Sequence, residues 1–350
     1  MMQAHAHMLE KTDSMQIFQG IFKRCVRAKY LVSLFFSFAI FFLLPACSTL
    51  PGMGDSGLSL NRFQFADGGH AIYYQLEKSA LPRSTTLASQ IAETADNLMF
   101  VISGSDCISM GAFLPQYFTG LEGESGRTKI FILHKRYIPP GGNGVLCGEA
   151  FVRNDYFSRW QADQLEFISA QLAAWSQRGQ QPKRLIIFGI SEGAELAPIV
   201  AQRLHATHLV LVSHSGLNAL DAYRSLAQEH TAMQAGWRQL QAALGEVPDD
   251  KDAKRIHGRS WRYWSEIAAI PQQQNLLQAD IPILLGVGEA DPVIPPQALD
   301  NLQQAFESAG RQIRILHFPD AGHNLASKQK NYLPDFMHQL DNWLLESPPK

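Results

Sequence analysis

The sequence predicts an α/β fold, in which a mostly parallel central sheet carries helices on both faces. Short apolar runs recur along the chain, and they are hydrophobic throughout rather than at alternate positions, as is typical of strands covered on both faces. These runs occupy residues 98–103, 129–134, 184–189, 208–213, 281–288 and 312–318. Longer stretches with helical periodicity separate most of the runs. Strands that alternate with helices indicate parallel pairing.

Two helices and one hairpin can be placed from their patterns. Apolar side chains recur roughly every three to four residues in two stretches, and each set predicts one buried helix face. The sets are Phe157, Trp160, Leu165, Ile168, Leu172 and Trp175, and Leu333, Phe336, Leu340 and Trp343. Earlier in the chain, LNRFQF (60–65) and AIYYQLE (71–77) flank the turn signal ADGGH (66–70), which predicts a β-hairpin. We expect one folded domain over residues 58–350.

One segment of this domain departs from the alternation of strands and helices. Residues 217–279 contain helical stretches around the polar run GEVPDDKDAK (245–254) and no convincing strand. We therefore predict a helical insertion at about 217–279, lying over the carboxyl edge of the sheet.

Composition excludes some classes of partner. The chain has 350 residues, of which 46% are hydrophobic, so it is long enough to bury a large core. Its 30 basic and 32 acidic residues nearly balance, and no basic stripe is interleaved with aromatic residues. Nucleic acid is therefore not an expected partner. The sequence predicts no metal and no cofactor, and it leaves the oligomeric state open.

The N-terminus has the order of an export signal. A basic segment, FKRCVRAKY (22–30), precedes the uncharged apolar run at 31–44 and the sequence PACS. The apolar run is shorter than the roughly 20 residues of a membrane-spanning helix, which favours cleavage over permanent anchoring. Met15 is a plausible alternative start of translation.

The end of this signal resembles the lipobox of bacterial lipoproteins. Leu44-Pro45-Ala46-Cys47 has the leucine, the small residue and the cysteine of that motif, although Pro45 departs from it. We expect residues 1–47 to form the signal peptide, lipid to be attached to Cys47, and residues 48–57 to form a flexible tether. The resemblance implies a cell-envelope protein anchored to a membrane surface, with the outer membrane facing the periplasm favoured because Ser48 follows Cys47. The alternatives are a plain secretory signal cut near Ala46, which gives a secreted or periplasmic protein, and an uncleaved signal anchor.

Cysteine usage agrees with export. Of the four cysteines, Cys25 lies in the basic segment and Cys47 in the lipobox-like motif, which leaves Cys107 and Cys147. An even pair in an oxidising compartment predicts a disulfide. The alternative is two unpaired thiols far apart in the fold.

The stretch FGISEGA (188–194) predicts a nucleophile. Ser191 follows an apolar run and precedes a helix-forming run, and Gly189 and Gly193 give it small neighbours where a sharp strand-to-helix turn crowds the backbone. Such a turn exposes the serine hydroxyl at a helix N-terminus. The alternative is an ordinary loop serine between two glycines.

A serine hydroxyl needs a base and an acid to become a nucleophile. His323 follows the last apolar run, Asp291 follows the one before it, and the chain order Ser, Asp, His suits the carboxyl edge of a parallel sheet. We predict a Ser191-Asp291-His323 triad. His323 could instead be a solvated loop histidine, Asp291 could only form the turn before Pro292, and Glu289 or Asp320 could be the acid.

The same chemistry requires an oxyanion hole. One expected donor is the backbone N–H of Glu192, which follows the nucleophile. The other should come from the loop SGSDC (103–107), with Ser105 as the first candidate and Asp106 as the second. A disulfide at Cys107 could stiffen this loop. The alternative for the loop is a simple glycine turn.

These motifs together resemble the α/β-hydrolase superfamily over residues 58–345. FGISEGA corresponds to its nucleophile elbow, GEADPVIP (288–295) to its acid loop and FPDAGHN (318–324) to its histidine loop. The resemblance implies an α/β-hydrolase fold and hydrolysis of esters, amides, lactones or related bonds through an acyl-enzyme. Ser103-Gly104 stands where many members have His-Gly, which puts the second oxyanion donor in doubt.

Function follows as an expectation: a serine hydrolase of the cell envelope that acts on small carboxylesters. A peptidase or acyltransferase with the same triad, acting on amides as well as esters, is the alternative within enzymes. A catalytically silent lipoprotein used as a binding module is the alternative outside enzymes.

In α/β-hydrolases, an insertion at the place of residues 217–279 is often a lid. Its aromatic side chains, Trp237, Trp261, Tyr263 and Trp264, could line an acyl pocket or form the core of the lid itself. Arg259 and Arg262 could bind a substrate carboxylate or face the solvent.

Overall fold

A computed structural model describes residues 58–80, 96–145 and 147–347 of the chain. Eight strands form one sheet in the order β1-β2-β4-β3-β5-β6-β9-β10. The strands are β1 (Ser59–Gln64), β2 (His70–Lys78), β3 (Asn97–Ile102), β4 (Thr128–Leu133), β5 (Arg184–Ile190), β6 (His208–Val212), β9 (Ile283–Gly288) and β10 (Arg314–Phe318). Strand β2 pairs antiparallel with β1 and β4, and every later pairing in the sheet is parallel. The predicted α/β fold with a mostly parallel sheet is therefore confirmed.

Ten α-helices lie among the described residues, and four of them lie between β6 and β9. They are α1 (Leu114–Tyr117), α2 (Glu149–Asn154), α3 (Phe157–Gln177), α4 (Glu192–Arg203), α5 (Ala219–Glu229), α6 (Thr231–Leu244), α7 (Trp261–Ala268), α8 (Gln272–Gln278), α9 (Ala298–Ser308) and α10 (Leu333–Glu346). A short 3-10 helix, Gly111–Phe113, precedes α1. No helix in the described part of the chain is long and apolar enough to cross a membrane.

The sheet separates two hydrophobic cores. Successive side chains of a strand point to opposite faces, so Leu98 and Phe100 of β3 join one core while Met99 and Val101 join the other. Helix α3 packs on the first face, and α10 packs on the second. Edge strand β10 departs from the expectation of a strand covered on both faces, because no further described strand pairs with its outer edge and the four residues before Phe318 are partly buried or exposed.

The insertion between β6 and β9 contains α5 to α8 and one short hairpin. Its strands, β7 (Arg255–Ile256) and β8 (Arg259–Ser260), have two residues each and pair antiparallel around His257 and Gly258. The sequence shows no strand here because two residues are too few to establish an alternating pattern. Glu266 of α7 accepts hydrogen bonds from the backbone N–H and the hydroxyl of Ser158, so the insertion is attached to the start of α3.

The predicted signal peptide at 1–47, with Cys25 and Cys47, and the predicted tether at 48–57 lie outside the described residues.

A buried carboxylate on α10 fastens the loop before β4. Asp341 is 1% exposed, and its two oxygens accept backbone N–H bonds from Glu122 (3.1 Å), Glu124 (2.9 Å) and Ser125 (2.9 Å). Hydrogen bonds to a charged acceptor are stronger than neutral ones. Asp341 therefore ties the final helix to the centre of the sheet.

We predict that Asp341→Ala lowers the free energy of unfolding by about 3 kcal/mol, because three backbone N–H groups lose their acceptor. Urea denaturation measures the change. Asp335→Ala is the matched control on the same helix, since Asp335 pairs with Lys330 at the surface and should contribute less than about 1 kcal/mol. Equal losses in the two variants would contradict the role given to Asp341.

Candidate active site

The three residues of the predicted triad lie in one hydrogen-bonded chain. His323 Nε2 is 2.8 Å from Ser191 Oγ, and His323 Nδ1 is 2.8 Å from Asp291 Oδ2. Ser191 follows β5, Asp291 follows β9 and His323 follows β10, so all three lie at the carboxyl edge of the sheet. The side chain of Asp291 is fully buried, whereas that of His323 is 39% exposed. The arrangement can deprotonate the serine hydroxyl and stabilise the resulting imidazolium.

Ser191 occupies a backbone conformation that few serines adopt. Its φ of 53° and ψ of −122° place it outside the regions that suit L-residues, at a cost of about 1–3 kcal/mol. A Cβ added to Gly193 would lie 2.2 Å from the carbonyl oxygen of Ile102, and one added to Gly189 would lie 2.6 Å from Cα of Ala194. The sharp turn therefore requires both glycines, which is the physical reason for the pattern in the sequence.

The acid loop holds Asp291 through both of its oxygens. Oδ1 accepts the backbone N–H of Val293 at 3.0 Å, while Oδ2 faces His323. The hydrogen bond of the imidazole goes to Asp291, and neither Glu289 nor Asp320 takes that place. With both oxygens engaged, the carboxylate is fixed in the orientation that His323 needs.

Two loops support the histidine. Ser213, directly after β6, donates its hydroxyl to the carbonyl oxygen of His323 at 2.6 Å. The N–H of Ala290 in the acid loop bonds to the carbonyl oxygen of Ala321 at 2.9 Å. Sequence reasoning did not find Ser213, because a serine after a strand carries no motif of its own.

Glu192, the expected first oxyanion donor, begins α4 directly after the nucleophile. The first N–H groups of a helix have no intrahelical acceptor, so this amide is available to a ligand. In the loop at 103–107, Gly104 lies against the nucleophile: a Cβ added there would be 3.8 Å from Ser191 Oγ. The structure thus brings the predicted loop to the site. The assignment of the second donor to Ser105 or Asp106 stays a prediction.

A disulfide closes the segment beside this loop. Cys107 and Cys147 are bonded, with their Cα atoms 5.6 Å apart, as the cysteine count predicted. The N–H of Ser109 also bonds to the carbonyl oxygen of Gly142 at 2.8 Å. The end of the predicted oxyanion loop is therefore attached to the chain that follows β4.

Behind the nucleophile lies a group of charged side chains that we call the ion cluster: Lys135, Asp155, Glu192 and Arg259, with Asp106 at its edge. The ammonium of Lys135 is 2.9 Å from both Asp155 Oδ1 and Glu192 Oε1. The guanidinium of Arg259 pairs with Asp155, lies 3.2 Å from Asp106 Oδ1, and lies 3.5 Å from Glu192 Oε2.

Burial shifts the titration of two groups in and beside the ion cluster. It lowers the pKa of Lys135 to about 8, although the neighbouring Glu192 carboxylate opposes the shift. It raises the pKa of Glu195, one turn further along α4, to about 8, and Glu192 adds to that shift. Trp160 lies under Lys135, with the ammonium 3.9 Å from the ring centre, and shields it from water.

Lys135 and Asp155 belong to no sequence motif, and nothing in the sequence connects them with Asp106, Glu192 and Arg259, because the five residues come from five separate segments. Arg259 and Arg262 were candidates for a substrate carboxylate. The structure places Arg259 in the cluster, whereas Arg262 pairs with Asp252 at 2.7 Å within the insertion. Nothing in the sequence around Asp106 indicated that it would pair with a residue of the insertion.

The aromatic side chains of the insertion pack among themselves and join the hydrophobic core on the first face of the sheet. Trp261 donates its indole N–H to the carbonyl oxygen of Ala243, and Trp264 donates to that of Ile256. Tyr263 is buried beside them, and Trp237 packs at the edge of the same core. Of the two alternatives for these residues, the structure supports packing within the insertion.

Within the described ranges, no group of three or more His, Cys, Asp or Glu side chains is arranged to hold a metal ion.

Solved structures with the same fold include esterases and a peptidase. Carboxyl esterase 2 from Tuber melanosporum has a TM-score of 0.51 at 11% identity, over 84% of this chain and 89% of that one. Est1E from Butyrivibrio proteoclasticus has a TM-score of 0.52 at 12% identity, over 83% and 98%. The acylaminoacyl peptidase from Pyrococcus horikoshii has a TM-score of 0.52 at 14% identity, over 84% of this chain and 42% of that one. The chain thus spans less than half of that peptidase.

No curated protein sequence matches the chain. Residues 139–347 match the prolyl oligopeptidase family, Peptidase S9, and this segment includes Ser191, Asp291 and His323. The match covers more than half of the chain. The chain therefore belongs to the prolyl oligopeptidase family, and it is a serine hydrolase with the α/β-hydrolase fold.

Proposed function

We propose that the protein hydrolyses small carboxylesters through an acyl-enzyme on Ser191. The observation that carries the proposal is the chain of two 2.8 Å hydrogen bonds from Ser191 through His323 to the buried Asp291. A histidine held between a serine hydroxyl and a carboxylate is arranged to take the serine proton.

The chemistry proceeds in two halves. His323 Nε2 takes the hydroxyl proton as Ser191 Oγ attacks the ester carbonyl, and the imidazolium then gives that proton to the departing alcohol as the C–O bond breaks. A water molecule, deprotonated by His323, attacks the acyl-enzyme, and the imidazolium returns the proton to Ser191 Oγ as the bond from Oγ to the acyl carbon breaks and the acid leaves. Asp291 stays ionised and stabilises the imidazolium in both halves.

The oxyanion forms beside the start of α4. There the N–H of Glu192 and the positive end of the helix dipole favour negative charge, and the loop at 103–107 supplies a second N–H. These donors need no rearrangement during the reaction if their loops are fixed beforehand.

Esters are proposed ahead of amides on chemical grounds. Without protonation, an alkoxide leaves a tetrahedral intermediate more readily than an amide anion does, so an ester makes a smaller demand than an amide on leaving-group protonation by the triad. A peptidase is the second candidate, and the match to the prolyl oligopeptidase family favours it. An acyltransferase would use the same acyl-enzyme with an alcohol or amine in place of water.

We predict that Ser191→Ala lowers kcat for a short-chain aryl ester by about 10⁴-fold or more, because no acyl-enzyme can form. Initial rates with purified protein measure the loss. Ser176→Ala, on the exposed side of α3, is the matched control and should keep wild-type activity. Esterase activity that survives Ser191→Ala would remove Ser191 from the mechanism.

The ester proposal predicts a preference that a substrate panel can measure. For aryl esters, lactones and aminoacyl anilides, kcat/KM should be at least about tenfold higher for an ester than for the anilide of the same acyl group. A preference for the anilide would establish a peptidase instead. A wild-type protein that neither turns over any substrate nor reacts with a fluorophosphonate would indicate a silent binding module.

We also propose that the mature protein is attached to a membrane of the cell envelope by lipid on Cys47, with the hydrolase domain facing the periplasm. The lipobox-like sequence at 44–47 and the disulfide, which suits an oxidising compartment, support this. Acyl chains would hold the domain at the surface without a spanning helix.

The anchor proposal predicts that Cys47→Ser abolishes incorporation of radiolabelled fatty acid and moves the protein from the membrane to the soluble fraction. Cys25→Ser is the matched control and should leave both unchanged, since Cys25 would be removed with the signal. Unchanged labelling and fractionation of Cys47→Ser would argue against lipidation.

A further inference from the structure

One nitrogen of Arg259 lies between carboxylates from the two segments that face the nucleophile. Nη2 is 3.2 Å from Asp106 Oδ1, in the loop after β3, and 3.5 Å from Glu192 Oε2, at the start of α4. The other terminal nitrogen pairs with Asp155, between α2 and α3. The side chains of Arg259 and Glu192 are 11% and 7% exposed, so water does little to screen their contact, whereas Asp106 is 53% exposed and its contact with Arg259 is partly screened.

These carboxylates belong to residues expected to line the oxyanion hole. Glu192 carries the first expected donor on its own backbone, and Asp106 is one of the two candidates for the second, next to Ser105. A guanidinium is planar and rigid, so it fixes the distance between two carboxylates that it contacts. Arg259 therefore bridges the two segments that are expected to carry the oxyanion donors.

The loop at 103–107 needs such a contact. Asp106 has a φ of 70°, in the left-handed region that non-glycine residues seldom occupy. The disulfide at Cys107 fastens the far end of the loop, but it leaves the side chain of Asp106 half-exposed. Among the described residues, Arg259 provides the ion pair that holds Asp106.

Lys135 cannot replace Arg259 in this position. Its ammonium contacts Asp155 and Glu192, and the described ion pairs give it no contact with Asp106. Without Arg259, Glu192 would keep one partner while Asp106 would lose its cation. The two buried carboxylates, Asp155 and Glu192, would then share a single cation beside the place where an oxyanion develops.

We propose that Arg259 is a positioning residue for the reaction at Ser191: it holds the loop at 103–107 and the start of α4 in the geometry of a formed oxyanion hole. Because β8 carries Arg259, the hole is complete only when the insertion is in place. This inference rests on the proposed hydrolysis at Ser191, and it adds a dependence of catalysis on the insertion.

The test compares Arg259→Met with Arg262→Met, which removes a cation of the same insertion that pairs with Asp252, stacks on Tyr156 and has no described ion pair with the ion cluster. Two quantities are measured for each protein: kcat and KM for a short-chain aryl ester, and the inhibition constant of a trifluoromethyl ketone. The ketone adds to Ser191 Oγ and forms a tetrahedral oxyanion, so its affinity reports on the hole.

Arg259→Met should lower kcat by about 10- to 100-fold and change KM less than about threefold. It should raise the inhibition constant of the ketone by a factor similar to the loss in kcat/KM. Arg259→Lys should lie between it and the wild type, since a lysine keeps the charge but not the planar contacts. Arg262→Met should stay within about twofold of the wild type for both quantities.

Asp106→Asn provides a variant that does not disturb a buried side chain. It should lower kcat and ketone affinity in the same direction, and adding it to Arg259→Met should cost nothing further, because Arg259→Met already removes the contact that Asp106→Asn breaks. If Arg259→Met folds poorly, the losses of kcat and ketone affinity in Asp106→Asn alone still test the proposal.

Three results would overturn the positioning role in an active wild-type enzyme. They are equal losses in Arg259→Met and Arg262→Met, a rise in KM at constant kcat, and additive losses in the cycle with Asp106→Asn. Failure of the proposed function is a different outcome, in which the wild type itself neither hydrolyses the ester nor binds the ketone.

Discussion

The strained turn at Ser191 is the constraint on which the rest of the site depends. Ser191, which follows β5, has a positive φ that brings its hydroxyl to His323. Helix α4 begins at the next residue, so the backbone amide of Glu192 lies beside the serine. That geometry exists only because Gly189 and Gly193 leave room for the neighbouring backbone. Packing of β5 and α4 in the core keeps the turn in a conformation that an isolated peptide would leave.

Much of the fold and the catalytic chain could be predicted, because each depends on local patterns with a physical cause. Continuous apolar runs mark buried parallel strands, which is why β3, β5, β6 and β9 were found, and glycines flanking Ser191 mark a crowded turn. Asp291 and His323 could be paired with it because parallel strands end at one edge of a sheet. The cysteine pair followed from its even count after Cys25 and Cys47 were set aside.

The ion cluster and the supports of the triad could not be predicted, because they depend on distances that the chain order does not contain. Lys135, Asp155 and Arg259 meet only after three segments pack behind the nucleophile. Ser213 reaches His323 across the ends of two strands. The hairpin at 255–260 was overlooked since its strands are too short for a pattern. Lys135, Asp155 and Glu192 are buried where their opposite charges converge, whereas charged residues usually lie at the surface.

The most direct test of the account is a crystal structure of the protein after reaction with a phosphonate ester. The account predicts a covalent bond between phosphorus and Ser191 Oγ, and a phosphoryl oxygen within hydrogen-bond distance of the Glu192 N–H and of a second N–H from the loop at 103–107. The account would be contradicted by a phosphonate bound to another residue while Ser191 is unmodified, or by a phosphoryl oxygen that points away from Glu192.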